Sequence, residues 1–241
     1  MKQPKKSLGQ NFLIDQNVIK KIINQTNIKD ENIVEIGPGY GSLTDHIIKK
    51  KPKTLIIIEK DFEIFKFLKN KFKDQKEIKI INDDALKYDF SKLNNIKVIS
   101  NLPYNISTKI IMKLIFLNKN IKNLICMIQK ELAIKFDYRK DKINKYKFII
   151  KICSDYEILF DVSNKVFFPK PKVQSKIVKF KLKTNSIDQK KLLNFTKIIF
   201  ENKRKTKKNK ITNISSINKE ILNKRVEELN FNQILEIYKF F

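Results

Sequence analysis

The stretch Val34-Glu-Ile-Gly37-Pro-Gly39-Tyr-Gly41-Ser-Leu-Thr44 decides the fold. It begins as an apolar, β-branched run, passes through three glycines and ends in a segment of helical character. Three of the chain's four glycines are gathered here. Glycine reaches positive φ and lets backbone approach a ligand without an intervening Cβ. A strand, a glycine loop and a helix in that order form an element that receives nucleotide-like groups. The spacing is G-x-G-x-G rather than G-x-G-x-x-G. At this level the loop therefore reads either as a cofactor site or as a tight structural turn.

Working outward, short β-branched runs alternate with amphipathic stretches. The strand candidates are Ile33–Ile36, Thr54–Ile58, Ile78–Asn82, Val98–Ser100 and Leu124–Ile128. Each is mostly apolar rather than alternating, as expected of strands covered on both faces. Between them lie the helical stretches Leu43–Lys51, Phe62–Phe72 and Ser107–Leu117. The alternation predicts an α/β fold with a mostly parallel sheet and helices on both faces. Two later runs, Tyr156–Val162 and Ser175–Leu182, read as an antiparallel addition that brings the sheet to seven strands. Helical patterns dominate after about Lys183, in Asp188–Asn202, Asn218–Leu229 and Phe231–Phe241. The expected organisation is a main domain over 1–182 and a small helical domain over 183–241. Phe62, Phe65 and Phe72 read as a stripe of core packing.

Ligands of such sheets bind beyond the carboxyl ends of the strands, so the residues there carry the chemistry. Glu59 ends the second strand, 18 residues beyond Gly41. A carboxylate there can accept from both hydroxyls of a ribose, or simply be a solvated charge. Asp83 and Asp84 end the third strand. One of them can accept from an exocyclic amine, and a plain helix N-cap explains either equally well; Asp84 is favoured for the ligand role. The fourth strand ends in Asn101-Leu102-Pro103-Tyr104-Asn105-Ile106-Ser107. This stretch belongs to the type of motif that handles amines on aromatic rings. Such an amine is a poor nucleophile, because its lone pair is delocalised. The Asn101 side-chain oxygen and the Leu102 carbonyl can accept its two hydrogens and so free the lone pair. Pro103 restricts Leu102 and aims its carbonyl, and Tyr104 offers a ring on which an extruded base can stack. The alternative is a proline turn after a buried strand.

Composition bounds the partners. The net charge is +27, with 52 Lys and Arg against 25 Asp and Glu. Nucleic acid is the partner such an excess suits. However, only Arg139, Arg204 and Arg225 are Arg, and a Lys-, Asn- and Ile-rich chain is also what an AT-rich genome encodes. Cys126 and Cys153 lie far apart without a C-x-x-C or a His pair, which points to core residues rather than a disulfide or zinc site. No metal is expected. His46, the only His, falls on the helix after the glycine loop and carries no catalytic expectation. The start lacks an apolar signal core, and no run is long enough to span a bilayer. The expectation is a cytoplasmic monomer with no membrane partner. The basic run 202–210 reads as a phosphate-contacting surface.

Along most of its length the chain resembles the small-subunit ribosomal RNA adenine N6-dimethyltransferases. The stretches that carry the resemblance are Lys6-Ser-Leu-Gly-Gln-Asn11-Phe-Leu13, Val34 to Gly39, Ile58-Glu59, Asp84-Ala-Leu, Asn101 to Thr108, Gln129-Lys-Glu131, Phe167 to Ser175 and Lys203-Arg-Lys-Thr206. The resemblance implies a Rossmann-like class I methyltransferase fold and S-adenosylmethionine as methyl donor. It implies that Asn11, Leu13, Gly37, Gly39, Glu59, Asp84 and Asn101 form the donor site, and that Phe167 stacks on the face of the base opposite Tyr104. The implied reaction is N6,N6-dimethylation of two adjacent adenosines near the 3′ end of small-subunit RNA, within the immature 30S particle. Lys170 and Gln174 depart from the Pro and Asp that many relatives carry, which bears on RNA contact rather than on the donor site. Two rival readings are a related enzyme acting on large-subunit RNA and a binding protein that keeps the fold without catalysis.

Overall fold

The computed structural model describes residues 10–140, 142–184, 186–201, 221 and 224–241. The basic run 202–210 and the stretch Lys6–Gly9 lie outside the described residues. In chain order the elements are β1 (Phe12–Leu13), α1 (Gln16–Ile23), β2 (Asn32–Ile36), α2 (Ser42–Lys49), β3 (Thr54–Glu59), α3 (Phe62–Lys71), β4 (Ile78–Asn82), β5 (Ile96–Asn101) and α4 (Ser107–Leu114). Then follow β6 (Ile121–Gln129), α5 (Lys130–Phe136), α6 (Lys145–Cys153), β7 (Ser154–Val162), β8 (Phe167–Phe168), β9 (Ser175–Leu182), α7 (Gln189–Glu201) and α8 (Phe231–Lys239).

Seven strands form one sheet in the order β4-β3-β2-β5-β6-β9-β7. The five from β4 to β6 are parallel, and β9 and β7 add antiparallel. The fold expected from the alternation of apolar runs is the one observed. The chain proceeds outward from β2 to β3 and β4, then returns to place β5 on the other side of β2. The loops leaving β2 and β5 therefore diverge and open a crevice at the carboxyl edge, the topological switch point where such sheets receive ligands.

Alternate strand residues separate into two cores, one per face. Ile33, Leu55, Ile57, Ile99 and Ile125 pack with α1 to α3, whereas Val34, Ile58, Val98, Leu124 and Cys126 pack with the helices of the other face. That division explains why β3 and the second half of β6 read as almost unbroken apolar runs. Phe148 of α6 joins the C-terminal helices to the second core, its ring 5.5 Å from Phe195 and 5.3 Å from Phe231. A second, two-stranded ribbon pairs β1 with β8, setting Phe12 opposite Phe168 and Leu13 opposite Phe167.

One packing expectation is corrected. In α3 the buried positions are Ile64 and Leu68, continued by Phe72, at a spacing of four. Phe62 is 52% exposed and Phe65 only half-buried. Residues at i and i+4 share a face, and Phe62 and Phe65 fall off that line. Among the described residues, no helix is long and apolar enough to cross a membrane.

Candidate active site

The glycine loop leaves β2 at the crevice. Gly37, Gly39 and Gly41 all have positive φ, at 64°, 57° and 87°. Gly37 turns the chain while its amide donates to the Ile58 carbonyl at 2.9 Å, tying the loop to β3. Gly39 faces a tighter constraint: a Cβ there would lie 2.6 Å from the Phe12 ring. The loop therefore needs glycine both for its backbone angles and for contact with the N-terminal ribbon.

Glu59 stands at the tip of β3, 7% exposed. Its carboxylate accepts from the Asp61 amide at 2.7 Å, and the amide of Gly39 lies beside it. Burial pushes its pKa up to about 7, against the lowering effect of these amides. Asp61 caps α3 and accepts from the Gln10 side chain at 3.1 Å, which fastens the N-terminal arm across the cleft. Asp84 follows β4. Its carboxylate accepts from the Leu86 amide and from Lys60, both at 2.9 Å, and these contacts hold its pKa below the usual range. Asp83 accepts from the Asp84 amide at 2.6 Å. Asp84 thus organises its own turn and still lines the cleft, so capping and ligand roles are compatible in one residue.

On the opposite side, Asn101 closes β5. Its side-chain amide donates from Nδ2 to the Asn11 carbonyl at 3.0 Å. With the NH2 end committed to the arm, the Oδ1 end is the acceptor the side chain has left to offer. Leu102 is buried, and its amide donates to Met127 at 3.3 Å. The Tyr104 hydroxyl shares a hydrogen bond with Ser175 Oγ at 2.6 Å.

Asn11, Leu13, Gly37, Gly39, Glu59, Asp84, Asn101, Leu102, Pro103 and Tyr104 all line this one cleft. The chain thus gathers ten of the residues picked from the sequence around a single space. Phe167 stands apart. It is 3% exposed, packs into the core beside Leu13 and is not among the lining residues. Its β-partnership with Leu13 turns it inward, and the exposed ring at this corner is that of Phe168, at 55%. The resemblance sets Phe167 on the face of the base opposite Tyr104, whereas here its ring is turned into the core.

Several contributors were missed at the level of sequence. Glu35 lies inside β2, 1% exposed, and accepts from Thr44 Oγ1 at 2.6 Å. Burial is the main cause that pushes its pKa up to about 8, and Asp45 and Glu59 add to it. An acid within an apolar strand run was the available signal. Lys113 of α4 donates to the carbonyls of Ala85, Leu86 and Tyr88 at 3.2, 2.8 and 2.7 Å. It staples the turn that carries Asp84 to the helix that follows Tyr104. Nothing in its sequence neighbourhood distinguishes it from other helical lysines.

The arrangement has a specific chemical character. A cleft carrying Glu35, Glu59, Asp83 and Asp84 sits in a protein of net charge +27. Its acceptors suit hydroxyls and an amine rather than phosphates, as a nucleoside without a phosphate chain requires.

The family model for ribosomal RNA adenine dimethylase matches residues 1–241. A ribosomal RNA small subunit methyltransferase A from Malacoplasma penetrans is 41% identical over 216 residues, covering 86% of this chain and 78% of that protein. Its counterpart from Pelagibacter ubique is 39% identical over 236 residues, covering 94% and 89%. Among solved structures, a dimethyladenosine transferase from Plasmodium falciparum superposes with a TM-score of 0.77 at 25% identity, covering 94% of this chain and 95% of that one. The 23S rRNA methyltransferase ErmE shares the fold with a TM-score of 0.74 at 19% identity, covering 95% and 98%.

Proposed function

The chain belongs to the ribosomal RNA adenine dimethylase family, and on that footing we propose that it dimethylates N6 of two adjacent adenosines near the 3′ end of small-subunit ribosomal RNA. S-adenosylmethionine is the donor, and when bound it supplies an electrophilic methyl group. The donor set fits this molecule. In this reading Glu59 accepts from the ribose hydroxyls and Asp84 from the adenine amine, which their shared lining of the cleft supports. Gly37 and Gly39 keep the loop backbone open to the cofactor, while Asn11 and Leu13 cover it from the arm.

The target amine is handled by the other side. Asn101 Oδ1 and the Leu102 carbonyl accept its two hydrogens, which draws the lone pair out of the ring and orients it. Pro103 sets the direction of that carbonyl, and Tyr104 supplies a face for the base. The amine nitrogen would take the methyl group as its bond to the donor sulfur breaks, leaving S-adenosylhomocysteine and a proton released to solvent; in the second round the one remaining N–H would be held by the same acceptors.

The single observation that carries the reading is the hydrogen bond from Asn101 to the Asn11 carbonyl, which leaves the side-chain oxygen as the acceptor. The test is transfer of labelled methyl groups from S-adenosylmethionine. Immature 30S particles are expected to become dimethylated, as read by mass spectrometry of the 3′ region of their RNA. Transfer to naked large-subunit RNA instead would favour the related resistance-type activity, and binding without transfer would favour a non-catalytic factor.

A further inference from the structure

We infer that Ser175 is a positioning residue for methyl transfer: its hydroxyl pins the Tyr104 ring at the angle against which the target base is seated. The inference rests on the reading of Asn101 to Tyr104 as the base-receiving side of the cleft.

Ser175 opens β9 and has no exposed surface. A hydroxyl buried that deeply costs stability unless it is hydrogen-bonded, and its partner is the Tyr104 phenol at 2.6 Å, 71 residues earlier in the chain. The anchor is rigid. Ser175 pairs with Gln129 on β6 and with Val162 on β7, so strands hold it on both sides. The other end of Tyr104 is fixed as well. Pro103 precedes it, and its carbonyl accepts from the buried Ser107 hydroxyl at 3.1 Å. Thus the backbone is held at one end and the phenol oxygen at the other, which removes most of the freedom of a side chain with two torsions.

A Phe at position 104 would offer the same stacking area without the anchor. What the Tyr and Ser pair adds is orientation. A base displaced or tilted on its platform presents its amine poorly to Asn101 and Leu102, and small errors of this kind reduce rate more than binding. Ser175 touches neither base nor donor in this scheme and acts only through Tyr104.

The experiment is a double-mutant cycle on the full chain, with Ser175→Ala, Tyr104→Phe and the combination. Steady-state transfer to immature 30S particles, donor affinity and Tm are measured for each. Each single change is expected to lower kcat about fivefold, the scale of one hydrogen bond, with donor affinity unchanged. The combination should be no worse than either single change, since both remove the same contact. Losses that multiply, or a Ser175→Ala enzyme with the wild-type kcat, overturn the inference. Should Ser175→Ala fail to fold, Tyr104→Phe removes the same bond from the cleft side, and wild-type kcat there overturns it equally. Absence of transfer by the wild-type chain overturns the functional reading, and the inference falls with it.

Discussion

The two sides of the cleft are built by different means. The donor side, from Gly37 round to Asp84, is largely backbone: positive-φ glycines, strand tips and carboxylates held by amides two residues further on. The target side, from Asn101 to Tyr104, is set by side-chain bonds that span the chain, with Asn101 reaching 90 residues back to Asn11 and Tyr104 reaching 71 residues forward to Ser175. Local geometry suffices to make a cradle for a molecule held by many contacts. Orienting one amine requires groups brought from distant elements. Changes on the donor side should therefore appear in affinity and stability, and changes on the target side in turnover.

The largest expected effect tests the target side. In the proposed scheme Asn101→Ala removes an acceptor for the reacting amine, and a loss of about 100-fold or more in kcat is expected, larger than any weakening of donor binding that calorimetry reads through the lost bond to Asn11. Full activity in that variant would remove the basis of the contrast. On the donor side, Gly39→Ala forces a side chain into positive φ and against Phe12. The strain is on the order of 1–2 kcal/mol before the contact is counted, so Tm should fall by roughly 2–4 °C or more and donor affinity should weaken with it. An unchanged melting curve would mean that the ribbon yields freely.

Protonation sharpens the comparison further, because only the donor side carries carboxyls with strongly raised pKa values. Under the proposed assignment ribose hydroxyls donate to an ionised Glu59, so donor affinity should decline as pH falls through about 7, by up to about tenfold per unit. Stability of the unliganded protein runs the other way. Glu59 and Glu35 have folded pKa values of about 7 and about 8, above their ordinary 4.5. Their contribution is fully present below pH 4.5 and is lost as pH rises through those values. Denaturant titrations between pH 5 and 8 should show this decline, and Glu35→Gln should flatten it. The smallest effect concerns the staple between the two sides. Lys113→Met frees three carbonyls beside Asp84, and the KM for donor should rise about fivefold, more than kcat falls. A loss confined to kcat would assign Lys113 to the target side instead.

Legibility in the sequence followed the same divide. Strand runs such as Thr54–Ile58 and the glycine loop could be read directly, because burial on both faces and positive φ leave compositional marks. Glu59 could be placed from its distance beyond the loop, and Asp84 from its position at the end of the third strand run. Of the expected Phe stripe Phe72 is core, but Phe62 and Phe65 are not, because burial follows the spacing of Ile64, Leu68 and Phe72 rather than residue type alone. Ser175 and Lys113 left no mark. A serine at a strand start and a lysine on a helix look the same whether or not they meet a distant partner. Phe167 was named from the resemblance, and its burial against Leu13 depends on a ribbon of two-residue strands that no local pattern announces.

The sequence by itself determined the parallel sheet, the turn that needs glycine and the chemical types at the strand ends, because these depend on hydrophobic period, backbone sterics and neighbouring residues. Only the tertiary structure decided that Asn11 and Ser175 hold Asn101 and Tyr104, and that Phe167 faces inward while Phe168 faces out. Those outcomes depend on which elements the order β4-β3-β2-β5-β6-β9-β7 and the β1–β8 ribbon bring side by side. A hydrogen bond between residues 71 or 90 positions apart becomes specified only when the chain has closed around it.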